Sequence, residues 1–355
     1  MSQTCLVVIY NHNFERNIEK IRSLYSSRFS KIIQIMPFYT GREPDVVGVY
    51  DAAWQFNGYI TQALQKLLEA DHVSHYLFIA DDIIVHPELN EYNACSKLGL
   101  DEDTAYIKDC HLIDEEMMYT LDWSFYSYSR MLASGTSCEF QRFIPSIEEA
   151  RAYCEKHGYD WRKGAPESVM KSYLVQKKAS HEFLGEMLPS DLSGLAAFAR
   201  KHTVLGLTMA EGVIKKAIKR DKYSDRDFLT SLRKYAKLFA KTSKHAEPLY
   251  PLFWAYSDVM ILPAKRLRAF AHLSGVFAAM RLFVEVAIPT SLVFTMDKIK
   301  TDHDIPYNGI PIWGSERLTA LSESHHGSLK HLLEHWPEDV LFYHPIKLSQ
   351  WTFDI

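Results

Sequence analysis

Two adjacent carboxylates, Asp81 and Asp82, end an apolar run, YLFIADDIIVHP over 76–87. A buried strand that delivers acids at its carboxyl end sets hard oxygen ligands at the rim of a sheet, where α/β proteins bind their ligands. Such a pair suits Mg²⁺ or Mn²⁺. These cations take few protein carboxylates and complete their shells with water and phosphate oxygens, so the partner implied is a nucleoside diphosphate or a similar group. The plain alternative is a strand that runs out into a solvated acidic turn. A further acid, Glu285, sits among Leu282, Phe283, Val284, Val286 and Ala287. It is either a satisfied core acid or one whose pKa is raised by desolvation, which fits it to abstract a proton.

The elements needed to hold these residues are legible around them. TCLVVIYNH at 4–12 predicts a buried strand, NFERNIEKIRSLY an amphipathic helix, KIIQIMPFY at 31–39 a second strand and VVGVYD at 46–51 a third. AWQFNGYITQALQKLLEA at 53–70 has its apolar positions at helical spacing and precedes the acid-ended strand. This alternation predicts a mostly parallel sheet covered by helices, an α/β, Rossmann-like, nucleotide-binding half.

An opening strand ending in Tyr10-Asn11, a helix start at Asn57-Gly58 and a strand ending in acids resembles the nucleotide-sugar half of GT-A-fold glycosyltransferases. Asp81-Asp82-Ile83 resembles that family's Asp-x-Asp metal motif. Ala80 stands where the family pattern has its first carboxylate, so the resemblance carries Asp82 over as the metal ligand and Asp81 as a ligand or a nucleotide contact. Downstream, 255–294 resembles the acceptor-side segment of bacterial enzymes of this fold, with Asp258 opening a strand and Glu285 in an apolar helix. VLFYHPIKLSQW at 340–351 resembles their closing strand, and His344 is then the candidate to complete the metal shell, against a plain strand-edge histidine. The resemblance implies that Tyr10, Asn11, Asp51 and Asn57 contact base and ribose, and that Asp258 or Glu285 serves as the acceptor base.

At 355 residues, with 47% hydrophobic side chains, the chain is long enough to bury a large core in two lobes. Cys5, Cys95, Cys110, Cys138 and Cys154 are odd in number and scattered, which predicts reduced thiols in a cytosolic protein. The opening residues have no basic start before their short apolar run, so no secretory signal is expected. The longest apolar stretch, 269–295, is interrupted by His272, Arg281, Glu285 and Pro289 and is not expected to span a membrane.

From about 141 to 245 the sequence predicts a helical insertion, best seen in SIEEARAYCEKHG, with its Ser start, acidic first turn and Gly stop. Between Arg200 and Lys244 thirteen basic residues face four acidic ones, a local net of +9 in a chain whose total is −4. This stretch is either a solvated helical face or a surface for something anionic: a bacterial inner membrane, or an acidic or lipid-diphosphate acceptor. Nucleic acid is not expected, since no nucleic-acid-binding signature accompanies the charge. Asp101–Asp122 holds eight acids against one lysine and reads as a solvated loop, with a wall that repels anions as the alternative.

His331-Leu-Leu-Glu-His335 matches the H-x-x-E-H pattern of inverted zinc peptidases, but the strand-like tail after it offers no third ligand from a later helix. An amphipathic surface helix is the preferred reading, and His325 and His326 add only the chance of adventitious metal binding. Glycine-rich dinucleotide, P-loop and serine-hydrolase motifs are absent.

Together these readings predict three segments: a nucleotide-sugar and metal-binding α/β half at 1–140, the helical insertion at 141–245, and an acceptor-side segment with closing strand at 246–355. The expected activity is metal-dependent transfer of a sugar from a nucleotide diphosphate-sugar, UDP-sugar favoured, to a hydroxyl of a glycan or glycolipid in bacterial surface polysaccharide synthesis. It is expected in the cytoplasm, with peripheral contact at the inner face of the membrane. A sugar-phosphate nucleotidyltransferase and a non-catalytic glycan- or membrane-binding protein are the alternatives.

Overall fold

The structure, a computed structural model, describes residues 3–134, 140–166 and 248–355. The basic stretch Arg200–Lys244, Cys138 and most of the expected helical insertion lie outside the described residues.

Twelve strands occur among the described residues: β1 (Gln3–Ile9), β2 (Ile32–Pro37), β3 (Val46–Val49), β4 (Val73–Ala80), β5 (Ile84–Val85), β6 (Thr104–Ile107), β7 (His111–Leu112), β8 (Phe253–Trp254), β9 (Val259–Pro263), β10 (Lys298–Lys300), β11 (Asn308–Pro311) and β12 (Val340–His344). Seven of them form one sheet in the order β10-β6-β9-β4-β1-β2-β3, parallel except for β9, which runs antiparallel to both β4 and β6. The α/β class and the mostly parallel sheet expected from the sequence are present. β1 and β4 are central, and their continuous apolar runs are buried almost end to end, as strands covered on both faces must be.

The chain divides into two compact units. The first holds Met1–Cys110, Ala255–Ala278 and Ala287–Ile355, and so contains the large sheet and the small sheet β11-β12-β5. The second draws on the described residues within His111–Trp254 and on Ala279–Val286, with the two-stranded β7-β8 sheet inside it. These boundaries cut across the three expected segments: residues 111–134 fall in the second unit.

In the first unit, the helix Ile18–Tyr25 turns Ile18, Ile21, Leu24 and Tyr25 into the core, at a gain of roughly 1.5–3 kcal/mol for each large side chain buried. The predicted helix 53–70 is present as a short 3-10 turn and two helices, Asn57–Gln62 and Leu64–Leu68, that meet at Ala63. It approaches the helix Leu267–Ala279 closely. A Cβ on Gly58 would stand 2.9 Å from Ala278 Cβ, and one on Gly275 2.7 Å from Thr61, so glycine at both positions permits the contact. Thr61 Oγ1 donates to Ala271 O at 2.6 Å across it.

The second unit contains the helix Ile147–Lys156, which starts as predicted: Ser146 accepts from the Glu149 amide, and the Glu149 carboxylate accepts from the Ser146 amide. Gly158, φ +78°, follows its end. The acidic stretch 101–122 is not the loop its charge predicted. It carries β6, β7 and the helix Glu115–Thr120, capped by Asp114, because the apolar Thr104–Ile107 is buried between β9 and β10. The acids sit in turns and at the helix start, where carboxylates are favoured.

Candidate functional site

The acids at the end of β4 are placed by three pairings. β1 runs parallel to β4 with Ile9 opposite Ala80, and the Asp81 amide donates to Ile9 O at 2.9 Å. β9 runs antiparallel, so its first residue meets the end of β4: the Ala80 amide donates to Asp258 O at 2.9 Å. β5, two residues past Asp82, pairs antiparallel with β12 through Ile84 opposite Tyr343. That register carries His344 alongside the acids, and the Ile346 amide donates to Asp82 O at 2.6 Å. Asp81, Asp82, Asp258 and His344, remote in sequence, are thereby gathered at the carboxyl edge of the central parallel strands.

His344 Nε2 stands 3.1 Å from Asp82 Oδ1, with the imidazole only 10% exposed. Its Nδ1 is bonded to the Tyr256 hydroxyl, and the Tyr256 ring stacks on Phe342. The Tyr256 amide in turn donates to Asp109 Oδ1 at 2.7 Å. Burial by itself lowers the His344 pKa, but the Asp82 carboxylate, with Asp258 and Asp81 beyond it, more than offsets this and raises it above 6.5. Burial, with the Asp82 charge second, pushes Asp81 from 3.8 to about 7 despite hydrogen bonds from Asn17 and the Asn11 amide. Burial likewise raises Asp258, against the opposing pull of His344.

Burial is the main cause of both shifts, and the Asp82 charge adds to each, an increment that a positive charge beside the acids would offset. Asp82 Oδ1 is fully enclosed and accepts no aligned hydrogen bond. Its 3.1 Å spacing from His344 Nε2 matches the edge of about 3 Å between neighbouring ligands of a six-coordinate ion held at about 2.1 Å. These residues therefore fit a small divalent cation. Among the described residues no group of three or more His, Cys, Asp or Glu side chains is gathered to hold a metal ion. A cation at Asp82 would draw its remaining ligands from water or phosphate, the habit of Mg²⁺.

The other residues expected at a nucleotide are dispersed. Tyr10 is buried, with its hydroxyl donating to Gln34 Oε1 at 2.5 Å, and Gln34 Nε2 donates onward to Asp45, which is paired with Arg22. Asn57 is also buried and donates to Ser274 O at 2.9 Å, tying the two close helices together. These two side chains face the core, where their polar ends serve neighbouring buried groups. Asn11 touches Asp81 through its backbone amide. Asp51 is half-buried and accepts from the Ala52 amide at 2.8 Å, at the end of β3. Glu285 belongs to the second unit, where Trp254 Nε1 donates to it at 3.2 Å.

Asn17, Tyr256 and Asp109 complete the network without having been singled out for it. Asn17 Nδ2 donates to Asp81 Oδ2 at 3.3 Å, a contact that depends on how the helix start is set against β4. Exposed aromatic rings also lie near the carboxyl rim: Phe38 and Tyr50, edge to face at 6.2 Å after β2 and β3, and Trp313, 6.2 Å from the His344 ring. No helix among the described residues is long and apolar enough to cross a membrane. Comparison of the chain with family models, with curated proteins and with solved structures finds no match in any of the three.

Proposed function

We propose that the chain is a metal-dependent glycosyltransferase of GT-A-like architecture, moving a sugar from a nucleotide diphosphate-sugar to a hydroxyl of a glycan or glycolipid. The observation that carries this reading is the Asp82–His344 contact beside two acids of raised pKa, at the carboxyl edge of a parallel sheet. The sheet order and the acids at the end of its central strand support the GT-A-like reading, and the aromatic rings at the rim offer flat faces to a base or a sugar.

Asp82 and His344 would hold Mn²⁺ or Mg²⁺, with Asp81 beside them as a second carboxylate. Such a cation supplies charge neutralisation for a departing diphosphate. Tyr256, bonded to His344 Nδ1, fixes the orientation of the ring and presents Nε2 toward Asp82. Asp258, half-buried and raised in pKa, is the residue assigned to take the proton from the acceptor hydroxyl. Glu285 is held by an indole in the other unit and is given no part in the transfer.

Calorimetry with UDP, GDP, CDP and dTDP, each with and without Mn²⁺, tests the reading. Binding that appears with the cation and vanishes with EDTA supports it. Metal-independent binding removes the role given to Asp82. Release of pyrophosphate from a nucleoside triphosphate and a sugar phosphate would instead identify a nucleotidyltransferase.

A further inference from the structure

The H-x-x-E-H stretch has a different geometry from the one its pattern suggests. His331 and His335 are stacked, with ring centroids 4.0 Å apart and planes 17° from parallel. A metal binds an imidazole in the plane of its ring, so two nearly parallel rings one above the other have no common point to offer. His335 Nδ1 is moreover engaged with His331 O at 2.9 Å. The peptidase-like pair therefore holds nothing between its two members.

His325 and His331 are arranged in the opposite way. Their planes cross at 61° and their Nδ1 atoms are 3.2 Å apart. Two nitrogens at about 2.0–2.1 Å from one tetrahedral ion stand roughly 3.3 Å from each other, close to the spacing found. The turn that brings them together is firmly built. His325 ends the helix Ser315–Ser324, and His326 and Gly327 are both left-handed, φ +56° and +63°. Ser328 then caps the helix Leu329–Glu334 by accepting from the His331 amide at 3.0 Å. The Gly327 amide donates to Ser322 O, and the Thr352 amide to Gly327 O, each at 2.7 Å. Asp354 accepts from the Ser328 hydroxyl at 2.6 Å and from the Lys330 amide at 3.0 Å. A non-glycine residue held left-handed between two helices is a local cost that the surrounding hydrogen bonds sustain.

We propose that His325 and His331 form a two-imidazole site for a borderline transition cation of the Zn²⁺, Ni²⁺ or Cu²⁺ class, bound through both Nδ1 atoms and separate from the Asp82–His344 site. Imidazole selects these ions over Mg²⁺ and Mn²⁺, which favour carboxylate and phosphate oxygen. In the metal-free protein one ring donates its Nδ1 proton to the other. Binding moves that proton to Nε2 of the same ring, so both rings stay neutral and none is released. The remaining coordination positions are left to water, and the His326 ring centroid stands 5.1 Å from that of His331 on the same turn.

The test is titration of the full chain with Zn²⁺ by calorimetry, repeated on His325→Ala, His331→Ala, His335→Ala and Asp82→Asn. At the His325–His331 site one Zn²⁺ is expected with micromolar affinity, weakened at least tenfold in each of the first two variants and unchanged in the last two, with any Zn²⁺ taken up at Asp82–His344 appearing as a separate event that Asp82→Asn removes. Cu²⁺ added in trace to the wild-type chain should broaden the His325 and His331 imidazole resonances before any other. His325 lies at a helix end, so His325→Asn provides a variant that keeps the turn if alanine unfolds it, and it too must lose the ion. Equal Zn²⁺ affinity in wild type and His325→Asn would overturn the proposal, as would a loss in His335→Ala as large as that in His331→Ala.

Discussion

Asp82 and His344 meet at 3.1 Å because β12 is threaded back beside β5, two residues past the acid. The contact sets the charge of the imidazole. Its folded pKa is raised above the ordinary 6.5, so the stabilisation from the charged pair is fully present below 6.5 and is lost as pH rises through the folded value. Asp82→Asn removes the largest of the raising influences and leaves burial, which lowers. In metal-free protein the His344 imidazole resonances should therefore titrate at lower pH in the variant than in wild type. Mg²⁺ should shift wild type the same way and leave the variant unaffected. An unchanged midpoint in Asp82→Asn would mean that the contact is not formed in solution.

Asp81 titrates in the opposite sense for stability. Its folded pKa of about 7 against an ordinary 3.8 means that between these values the native state keeps a proton the unfolded chain has lost. Stability conferred by the neutral acid is thus full below about pH 4 and declines as pH rises to about 7. Asp81→Asn mimics the neutral form at every pH. Thermal melting without divalent cation should show the variant more stable than wild type by about 2 kcal/mol or more at pH 8, with the gap closing toward pH 4. A cation should narrow the gap at pH 8 by stabilising wild type, which keeps both carboxylates, more than the variant.

The split between Asp258 and Glu285 is open to kinetics. Asp258→Asn keeps the shape and removes the proposed base, so under that proposal kcat should fall by roughly 10²-fold or more with donor affinity nearly unchanged. Glu285→Gln keeps an oxygen for the Trp254 indole and should leave kcat within a few-fold of wild type. The reverse pattern would move the base to the second unit.

How far the site was readable differs residue by residue. The end of β4 was legible because a continuous apolar run that stops on two acids has one reading at the level of the strand. Asp258 and His344 were legible as the opening and the end of strands, yet their convergence on Asp82 depends on the antiparallel insertion of β9 and on the β5-β12 register, which no local pattern specifies. The inward direction of Tyr10 and Asn57 was not legible, because a polar residue at an element's end does not tell which way it points. Their partners, Gln34 and Ser274 O, are set by tertiary packing. Thr104–Ile107 was hidden among acids for the opposite reason, its four buried positions being too few to outweigh the charge around them.

Those inward-facing residues carry their own prediction. Tyr10→Phe leaves Gln34 Oε1 without its donor in a fully buried place, at a cost of about 1–3 kcal/mol. Asn57→Ala removes the tie to Ser274 O and should cost a similar amount. Denaturant melts should register both losses, while the affinity of the folded variants for UDP with Mn²⁺ stays at the wild-type value. A tenfold loss of UDP affinity in folded Tyr10→Phe would return Tyr10 to the nucleotide.

The basic stretch Arg200–Lys244 supplies the last prediction, from sequence alone. With a local net of +9, each lysine or arginine near an anionic bilayer contributes on the order of 1 kcal/mol, enough for reversible docking without a spanning helix. Sedimentation with liposomes should show binding that rises with the anionic lipid fraction and falls with salt, since exposed charges are screened over about 8 Å at physiological ionic strength. Charge reversal at Lys215, Lys216, Lys219 and Lys237 changes the local net from +9 to +1 and should abolish sedimentation, while sugar transfer to a soluble acceptor continues. If the wild-type protein ignores anionic liposomes at low salt, the charge serves a solvated face or an acidic acceptor. Failure of the reversed variant on an anionic acceptor, with activity on a neutral one retained, would then assign the stretch to acceptor recognition.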